Sequence, residues 1–245
     1  SHKGVTSALG MLAVKGRYYV YESQKLYEVL LDKVQDPLEF DVNDPIISAT
    51  YFDEKEVPIF FSKTGKVFEL TGGTIRPMVA QEGIFRKGVQ ITDWGSRLYI
   101  LDPTSDQIWR YPFVKSKSVF GTAEGYKTAG DLKNSVALTI DSSVYVLNND
   151  GSILRLYGGV KQTLEVERAS FSTASQPTRI YTDAEMSNLF VVDNSGRVFV
   201  YFKDPKTAQL IYTGQVILDG IKDIRDVSYD KSSSRRRTFG RAGRG

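Results

Sequence analysis

The sequence predicts an all-β fold built from repeated units of three or four antiparallel strands. The first observation is a repeat along the 245 residues: a short apolar strand, a turn, an aromatic-rich strand, a second turn and a third strand occur five times. The second is its period, because equivalent anchors of the second strand lie 40 to 46 residues apart: Tyr19, Ile59, Tyr99, Tyr145 and Phe190. The third is the lack of any sustained amphipathic helical pattern. A strand-only repeat of about 40–50 residues is typical of the blades of a β-propeller.

The elements of each unit follow from residue type. Copies of the repeat occupy 7–31, 47–70, 88–113, 134–159 and 177–202. First strands end at an acidic residue or a tight turn, as at Asp53, Asp93, Asp141, Asp183 and Asp230. Short carboxylate side chains accept hydrogen bonds from nearby backbone N–H groups, so this recurrence favours a structural role in turns.

The later strands of each unit are predicted from their polarity. Second strands are apolar on both faces, which is expected of a strand packed between two neighbouring blades. The turns after them include SKTG, NNDG and DNSG, where Gly65, Gly151 and Gly196 supply the positive φ that a hairpin turn needs. Outer strands are expected at 114–120, 160–166 and 209–212, which are more polar, as sheet edges usually are.

The two ends of the chain leave the size of the ring open. Residues 224–229 look like the first strand of a sixth unit, but no second strand follows. The chain is therefore either a closed five-bladed ring with an extra C-terminal strand or a six-bladed ring that lacks most of one blade. We expect a propeller domain over 4–230. In a six-position ring the extra strand should pair near 5–14, whereas in a five-bladed ring it should lie beside 209–212 or cross to the first blade as an outer strand. Contact with the N-terminal blade is favoured because it removes an open edge. Residues 231–245 are expected to be a disordered tail.

Several kinds of chemistry are excluded by composition. There is no cysteine, and the one histidine, His2, lies near the terminus. Disulfides, thiolate chemistry, Ser-His-Asp catalysis and histidine metal clusters are therefore not expected. The turns at 148–151 and 193–196 lack the spacing of a calcium loop, so we expect no metal and no cofactor. No stretch is apolar enough to insert into a membrane, and the compartment is left open.

Charge is concentrated at the C-terminus. The net charge is +3, and the tail over 231–245 contributes +6 of it, leaving −3 for the rest of the chain. The candidate nucleic-acid-binding residues are all in this tail: Arg235, Arg236, Arg237, Arg241 and Arg244. A solvated basic end without binding function is the alternative. The acidic body argues against nucleic acid as its main ligand.

The segments LYILDPTSDQIWRY, VYVLNNDGSILRLY and LFVVDNSGRVFVYF resemble the units of bacterial NHL/YVTN-like propeller repeat proteins. The resemblance extends over about 7–230, whereas the Gly-His and Trp-Asp signatures of WD40 repeats are missing. It implies a propeller that serves as an interaction or ligand-sensing platform, and it implies no particular substrate.

Together these features predict a non-enzymatic protein–protein interaction module that belongs to a larger bacterial protein. Trp94 is the candidate ligand-binding residue, because it is expected in an exposed loop after a first strand. Trp109 is expected to pack within its blade. The alternative function is carbohydrate binding or glycoside cleavage, which would use two carboxyl groups about 5–10 Å apart near the central channel.

Overall fold

The structure is a computed structural model that describes residues 5, 7–30, 33–126, 131–167 and 176–216. Five antiparallel sheets stand in a ring and form a five-bladed β-propeller. The innermost strands of successive blades pack side by side in chain order. The predicted fold class and the five complete blades are thus confirmed.

Each blade is a separate sheet of strands that follow one another in sequence. Blade 1 consists of β1 (Gly10–Val14), β2 (Arg17–Tyr21), β3 (Lys25–Leu30), β4 (Lys33–Val34) and β5 (Leu38–Glu39). Blade 2 consists of β6 (Ile46–Phe52), β7 (Val57–Ser62), β8 (Val67–Thr71) and β9 (Thr74–Met78). Blade 3 consists of β10 (Gln90–Asp93), β11 (Arg97–Asp102), β12 (Gln107–Val114), β13 (Val119–Phe120) and β14 (Glu124–Gly125). Blade 4 consists of β15 (Ser135–Ile140), β16 (Val144–Asn148), β17 (Ile153–Tyr157) and β18 (Val160–Gln162), and blade 5 of β19 (Pro177–Tyr181), β20 (Asn188–Asp193), β21 (Val198–Lys203) and β22 (Leu210–Val216).

The five anchors that defined the repeat occupy one position of the fold. Each lies in the second strand of its blade, opposite a residue of the inner strand. The pairs are Leu12–Tyr19, Thr50–Ile59, Thr92–Tyr99, Thr139–Tyr145 and Tyr181–Phe190. The sequence period is therefore a true structural repeat. Within the described ranges the one helical segment is a short 3₁₀ turn at Lys115–Lys117, as the lack of helical periodicity predicts.

The outer strands predicted for blades 3, 4 and 5 all differ from those observed. In blades 1 and 3 two short strands share the edge, β4 and β5 beside β3 and β13 and β14 beside β12. Pro37 interrupts the first edge, and Pro112 on β12 has no N–H to donate to the second. The outer strand predicted at 114–120 is reduced to β13 (Val119–Phe120), and the one predicted at 160–166 is reduced to β18 (Val160–Gln162). The one predicted at 209–212 is longer, because β22 covers Leu210–Val216.

The core lies between blades rather than at the centre of the ring. Between blades 2 and 3 the largest cluster includes Phe52, Phe61, Phe85, Tyr111 and Phe120, each at most 2% exposed. The ring centroids of Phe85 and Tyr111 are 4.9 Å apart. Each blade therefore buries its apolar faces only when its neighbours are present, which is how propeller repeats gain stability.

Polar side chains also join neighbouring inner strands. In three successive interfaces, one side chain on an inner strand hydrogen-bonds both the N–H and the C=O of a residue that lies on the next inner strand or directly after its end. The pairs are Ser48 with Ile91, Gln90 with Leu138, and Thr139 with Thr182. We call these three pairs the interblade clamps. They satisfy backbone groups that no strand partner reaches, and so hold the inner strands at fixed spacing.

Some predictions fall on residues outside the described ranges. These are the extra strand at 224–229, Asp230, the tail over 231–245 and its candidate arginines. The pairing of 224–229 near 5–14 therefore stays a prediction. In the part of the chain that the structure describes, no helix is long and apolar enough to cross a membrane.

Candidate functional site

The inner strands of all five blades surround a central cavity of about 830 Å³. At the level of the anchors its wall carries one residue from each blade: Leu12, Thr50, Thr92, Thr139 and Tyr181. On this repeated backbone the wall therefore carries threonine in blades 2 to 4, leucine in blade 1 and tyrosine in blade 5. Its mouth lies where the inner strands end and the first turn of each blade begins.

Four of the five predicted aspartates lie at or within two residues of the end of an inner strand, and Asp53, Asp93 and Asp183 line the cavity, but they are not equivalent. Asp53, Asp93, Asp141 and Asp183 follow the level of Thr50, Thr92, Thr139 and Tyr181 by one to three residues. In blade 1 the corresponding turn begins with Lys15. The single repeat position that the sequence suggested is therefore incorrect, because the first turns of the blades differ in length.

Two of these aspartates are engaged between blades. Asp93 accepts hydrogen bonds from Thr50 Oγ1 at 3.1 Å and from the backbone N–H of Asp53 at 3.3 Å, both in the preceding blade. Asp141 accepts a hydrogen bond from Lys203 Nζ of blade 5 at 2.7 Å. The structural role that the sequence assigned to the recurring carboxylates is thus supported for these two, although the contacts cross between blades.

Asp183 has a different environment. Its Oδ1 accepts hydrogen bonds from the backbone N–H groups of Glu185 at 2.8 Å and Met186 at 3.0 Å. Its Oδ2 is buried and has no hydrogen-bond partner among the described residues. The residue is only 7% exposed, yet it forms part of the cavity wall. A buried carboxylate oxygen without a partner is costly, so Asp183 is an unusual feature of the mouth.

The cavity has an excess of negative charge. Its wall includes the carboxylates of Asp53, Glu56, Asp93, Asp183 and Glu185, and the cations of Lys15 and Arg179. Lys15 is already paired with Glu56 across the first blade interface at 2.5 Å. Concave surfaces lined by one sign of charge concentrate the field inside them, so the mouth attracts cations.

Trp94 lies beside this mouth, but it is less exposed than the sequence suggested. It is half-buried, forms part of the cavity wall and packs against the apolar cluster between blades 3 and 4. Its backbone closes the first turn of blade 3 through hydrogen bonds with Arg97. A ligand-binding role for Trp94 stays a prediction. Trp109, in contrast, lies on β12, packs against the cluster between blades 2 and 3, and donates Nε1–H to Asp102 Oδ2 of its own blade at 3.0 Å.

The turns that resemble calcium loops are hairpin turns. Asp150 and Asp193 accept hydrogen bonds from backbone N–H groups two residues later, at Ser152 and Ser195. The glycines of these turns have positive φ, as predicted, with values of +83° at Gly151 and +78° at Gly196. Within the described ranges, no group of three or more histidine or acidic side chains is placed to hold a metal ion.

Comparison with known proteins supports the propeller fold but assigns no function. No protein-family model matches the sequence, and no curated protein matches it. A chain in the crystal structure of a nidogen/laminin complex has a TM-score of 0.63 at 13% identity, covering 92% of this chain and 85% of that one. The Swd1 β-propeller domain of Myceliophteria thermophila has a TM-score of 0.59 at 9% identity, covering 89% of this chain and 75% of that one. A chain of the mitotic checkpoint complex has a TM-score of 0.57 at 9% identity, covering 92% and 86%.

At such low sequence identity the similarity supports only the architecture, because proteins with unrelated functions share this fold. The resemblance to NHL/YVTN-like propellers is supported as far as a propeller repeat protein, and no family match confirms NHL membership. The chain is a five-bladed β-propeller with an acidic central cavity.

Proposed function

We propose that this chain is a non-enzymatic binding module of a larger protein and that it recognises a protein partner at the mouth of the central cavity. The proposal rests on the difference between the contacts that join the blades and the residues that line the cavity. The interblade clamps join the inner strands of blades 2 to 5, whereas the cavity wall at the anchor level is leucine in blade 1, threonine in blades 2 to 4 and tyrosine in blade 5, with carboxylates and Trp94 at the mouth. A rigid frame that presents unlike side chains around a concave site is suited to specific recognition.

The arrangement of the carboxylates supports binding rather than catalysis. Asp93 and Asp141 are committed to interblade contacts, and Asp183 Oδ1 to its own turn. A glycosidase needs one carboxyl group free to donate a proton and a second free to attack or to activate water. These commitments disfavour such a pair, and the negative charge of the wall disfavours nucleic acid as a ligand of the propeller body.

Carbohydrate binding or cleavage is the second candidate. It is favoured by the aromatic side chains of Trp94 and Tyr181, which share the cavity wall with Asp53 and Asp183. Aromatic rings beside hydrogen-bonding groups are a common way to bind sugars.

One experiment separates the two functions. A random peptide library is selected against the immobilised full chain, and the affinity of selected peptides is measured by calorimetry. In parallel, the chain is incubated with a glycan array and a panel of natural glycans, and products are analysed by mass spectrometry. We expect peptide binding that Trp94→Ala weakens and that Glu167→Gln, at an exposed position outside the cavity, leaves unchanged. Glycan binding or cleavage without any selected peptide would overturn the proposal.

A further inference from the structure

We infer that the cavity mouth binds a lysine or arginine side chain of the partner and that Asp183 is the residue that recognises its positive charge. The inference rests on the proposed function, since it specifies the chemistry of the same site. It is carried by three observations: the cavity, the excess of carboxylates on its wall and the buried oxygen of Asp183 that lacks a partner.

The first step concerns Asp183 itself. Its turn uses only Oδ1, so Oδ2 is not needed to shape the backbone. Burial of a carboxylate oxygen without a hydrogen-bond donor destabilises the free protein. A cationic group that enters beside Asp183 would recover this free energy on binding, whereas an anionic or apolar group would increase the cost.

The second step concerns the cations of the wall and Lys203 of the same blade, which have other partners. Lys203 Nζ donates to the backbone carbonyl oxygen of Asp183 at 3.0 Å, but its ion pair is with Asp141 Oδ2 at 2.7 Å. Arg179 lies on the same inner strand, and its guanidinium donates to the carbonyl oxygen of Thr178 at 2.9 Å. Lys15 is paired with Glu56. The five carboxylates of the wall therefore face two cations of the wall, one of which is already paired.

The third step concerns the kind of ligand. Bare metal ions are disfavoured, because the described residues bring together no set of three metal-ligating side chains. A cavity of about 830 Å³ has room for a long side chain, while the backbone of its peptide would stay outside on the rim. Lysine and arginine combine such a long apolar stem with a terminal charge and several donors.

The test uses peptides selected against the full chain as described above. In each peptide, every lysine is replaced in turn by glutamine and every arginine by citrulline, which keeps the shape and removes the charge. We expect one cationic position in each peptide whose replacement lowers affinity about tenfold or more, because a hydrogen bond to a charged group is lost. We also expect the affinity to fall as the salt concentration rises.

The protein side of the test uses Asp183→Asn. The asparagine keeps an oxygen for the turn hydrogen bonds and removes the charge, so folding is checked by thermal unfolding. We expect it to lower peptide affinity about tenfold, and the loss to vanish with the peptide whose critical cation has been replaced. This coupling between one residue and one peptide position is not expected from a merely structural effect. Asp53→Asn, at an exposed position of the same wall, is the second variant if Asp183→Asn does not fold, and Glu167→Gln is the matched control.

The outcomes distinguish the two proposals. If no peptide is selected, the proposed protein-binding function fails. If peptides bind equally well without their cations, or if Asp183→Asn and Asp53→Asn leave affinity unchanged, the function stands and the inference is overturned. The tail arginines offer the same chemistry within the chain. If replacing the tail arginines by glutamine raised peptide affinity, these arginines would be competing with the peptide for the cavity. This result would also support the binding of a cationic side chain in the cavity.

Discussion

Thr139 of blade 4 joins Thr182 of blade 5 through two hydrogen bonds that share one hydroxyl group. Thr139 Oγ1 donates to the carbonyl oxygen of Thr182 at 2.9 Å and accepts from its N–H at 3.0 Å. Both residues are buried, and Thr182 directly precedes Asp183. The clamp thus connects the stability of the ring to the geometry of the cavity mouth.

The first prediction concerns this clamp. Thr139→Val keeps the shape of the side chain but leaves the N–H and C=O of Thr182 unpaired in the interior. We expect the free energy of unfolding to fall by about 1–3 kcal/mol, measured by urea denaturation. Thr213→Val removes a hydroxyl that donates to Val200 at the exposed edge of blade 5, and should cost less than about 0.5 kcal/mol. If both variants lost the same free energy of unfolding, the Thr139–Thr182 clamp would contribute no more to stability than an exposed hydrogen bond.

The second prediction concerns the ion pair between blades 4 and 5. The side chains of Lys203 and Asp141 are only 14% and 12% exposed. Lys203→Met leaves the Asp141 carboxylate partly buried without its cation, and we expect a loss of about 2 kcal/mol or more. Its matched control is Lys15→Met, since the Lys15–Glu56 pair is 58% and 61% exposed and should contribute less than about 1 kcal/mol. Unfolding is followed by circular dichroism, and a larger effect at Lys15 would contradict the prediction.

The third prediction is a pH dependence that arises from Asp44, which is 3% exposed. Burial is the largest influence on its pKa and would raise it, but hydrogen bonds from Thr64 and Ser62 outweigh burial and hold the pKa below the ordinary 3.8. A lowered folded-state pKa means that the contribution to stability is complete above pH 3.8 and is lost as the pH falls through the folded value.

We therefore expect Asp44→Asn to lower the free energy of unfolding at pH 7 by about 1–3 kcal/mol. The difference from the unmodified chain should shrink as the pH falls below 3.8, because Asp44 is then protonated in the unfolded chain, and it should vanish once the pH is below the lowered pKa of the folded chain. Thermal unfolding at pH 7, 5 and 3 measures it. A difference that is constant across this range would mean that the carboxylate charge is not what stabilises the turn.

The fourth prediction concerns close packing of the backbone at Gly88. A Cβ atom there would overlap the carbonyl oxygen of Leu101, the same oxygen that accepts a hydrogen bond from Val89 at 2.8 Å. Gly88→Ala should therefore cost about 3 kcal/mol, measured as a loss in the free energy of unfolding. At Gly158, with φ of +57° and open space around it, Ala should cost about 1 kcal/mol through backbone strain alone. A larger loss at Gly158 than at Gly88 would reject the packing argument.

The local features of this fold were predictable because they depend on short-range chemistry. The anchors Tyr19, Ile59, Tyr99, Tyr145 and Phe190 share one register position, since each must be apolar to pack between two blades. The positive φ at three predicted glycines follows from the demands of a hairpin turn, with values of +94° at Gly65, +83° at Gly151 and +78° at Gly196. Ser48 and Thr139 are polar residues within apolar inner strands, and this pattern is the sequence signal of the interblade clamps.

The partners of these interblade contacts were not predictable, because the contacts join residues 40 or more positions apart. Asp93 and Asp183 look alike in the sequence, yet Asp93 binds Thr50 of the preceding blade, while the buried Oδ2 of Asp183 has no hydrogen-bond partner in the part of the chain that the structure describes. Their difference arises from the unequal lengths of the first turns, which shift each side chain relative to its neighbours. The sequence by itself determined the repeat, the strands and the five blades, since these depend on residue type and period. Only the tertiary structure decided which carboxylates bind a neighbouring blade and which line the cavity, because the packing of neighbouring blades brings distant turns together.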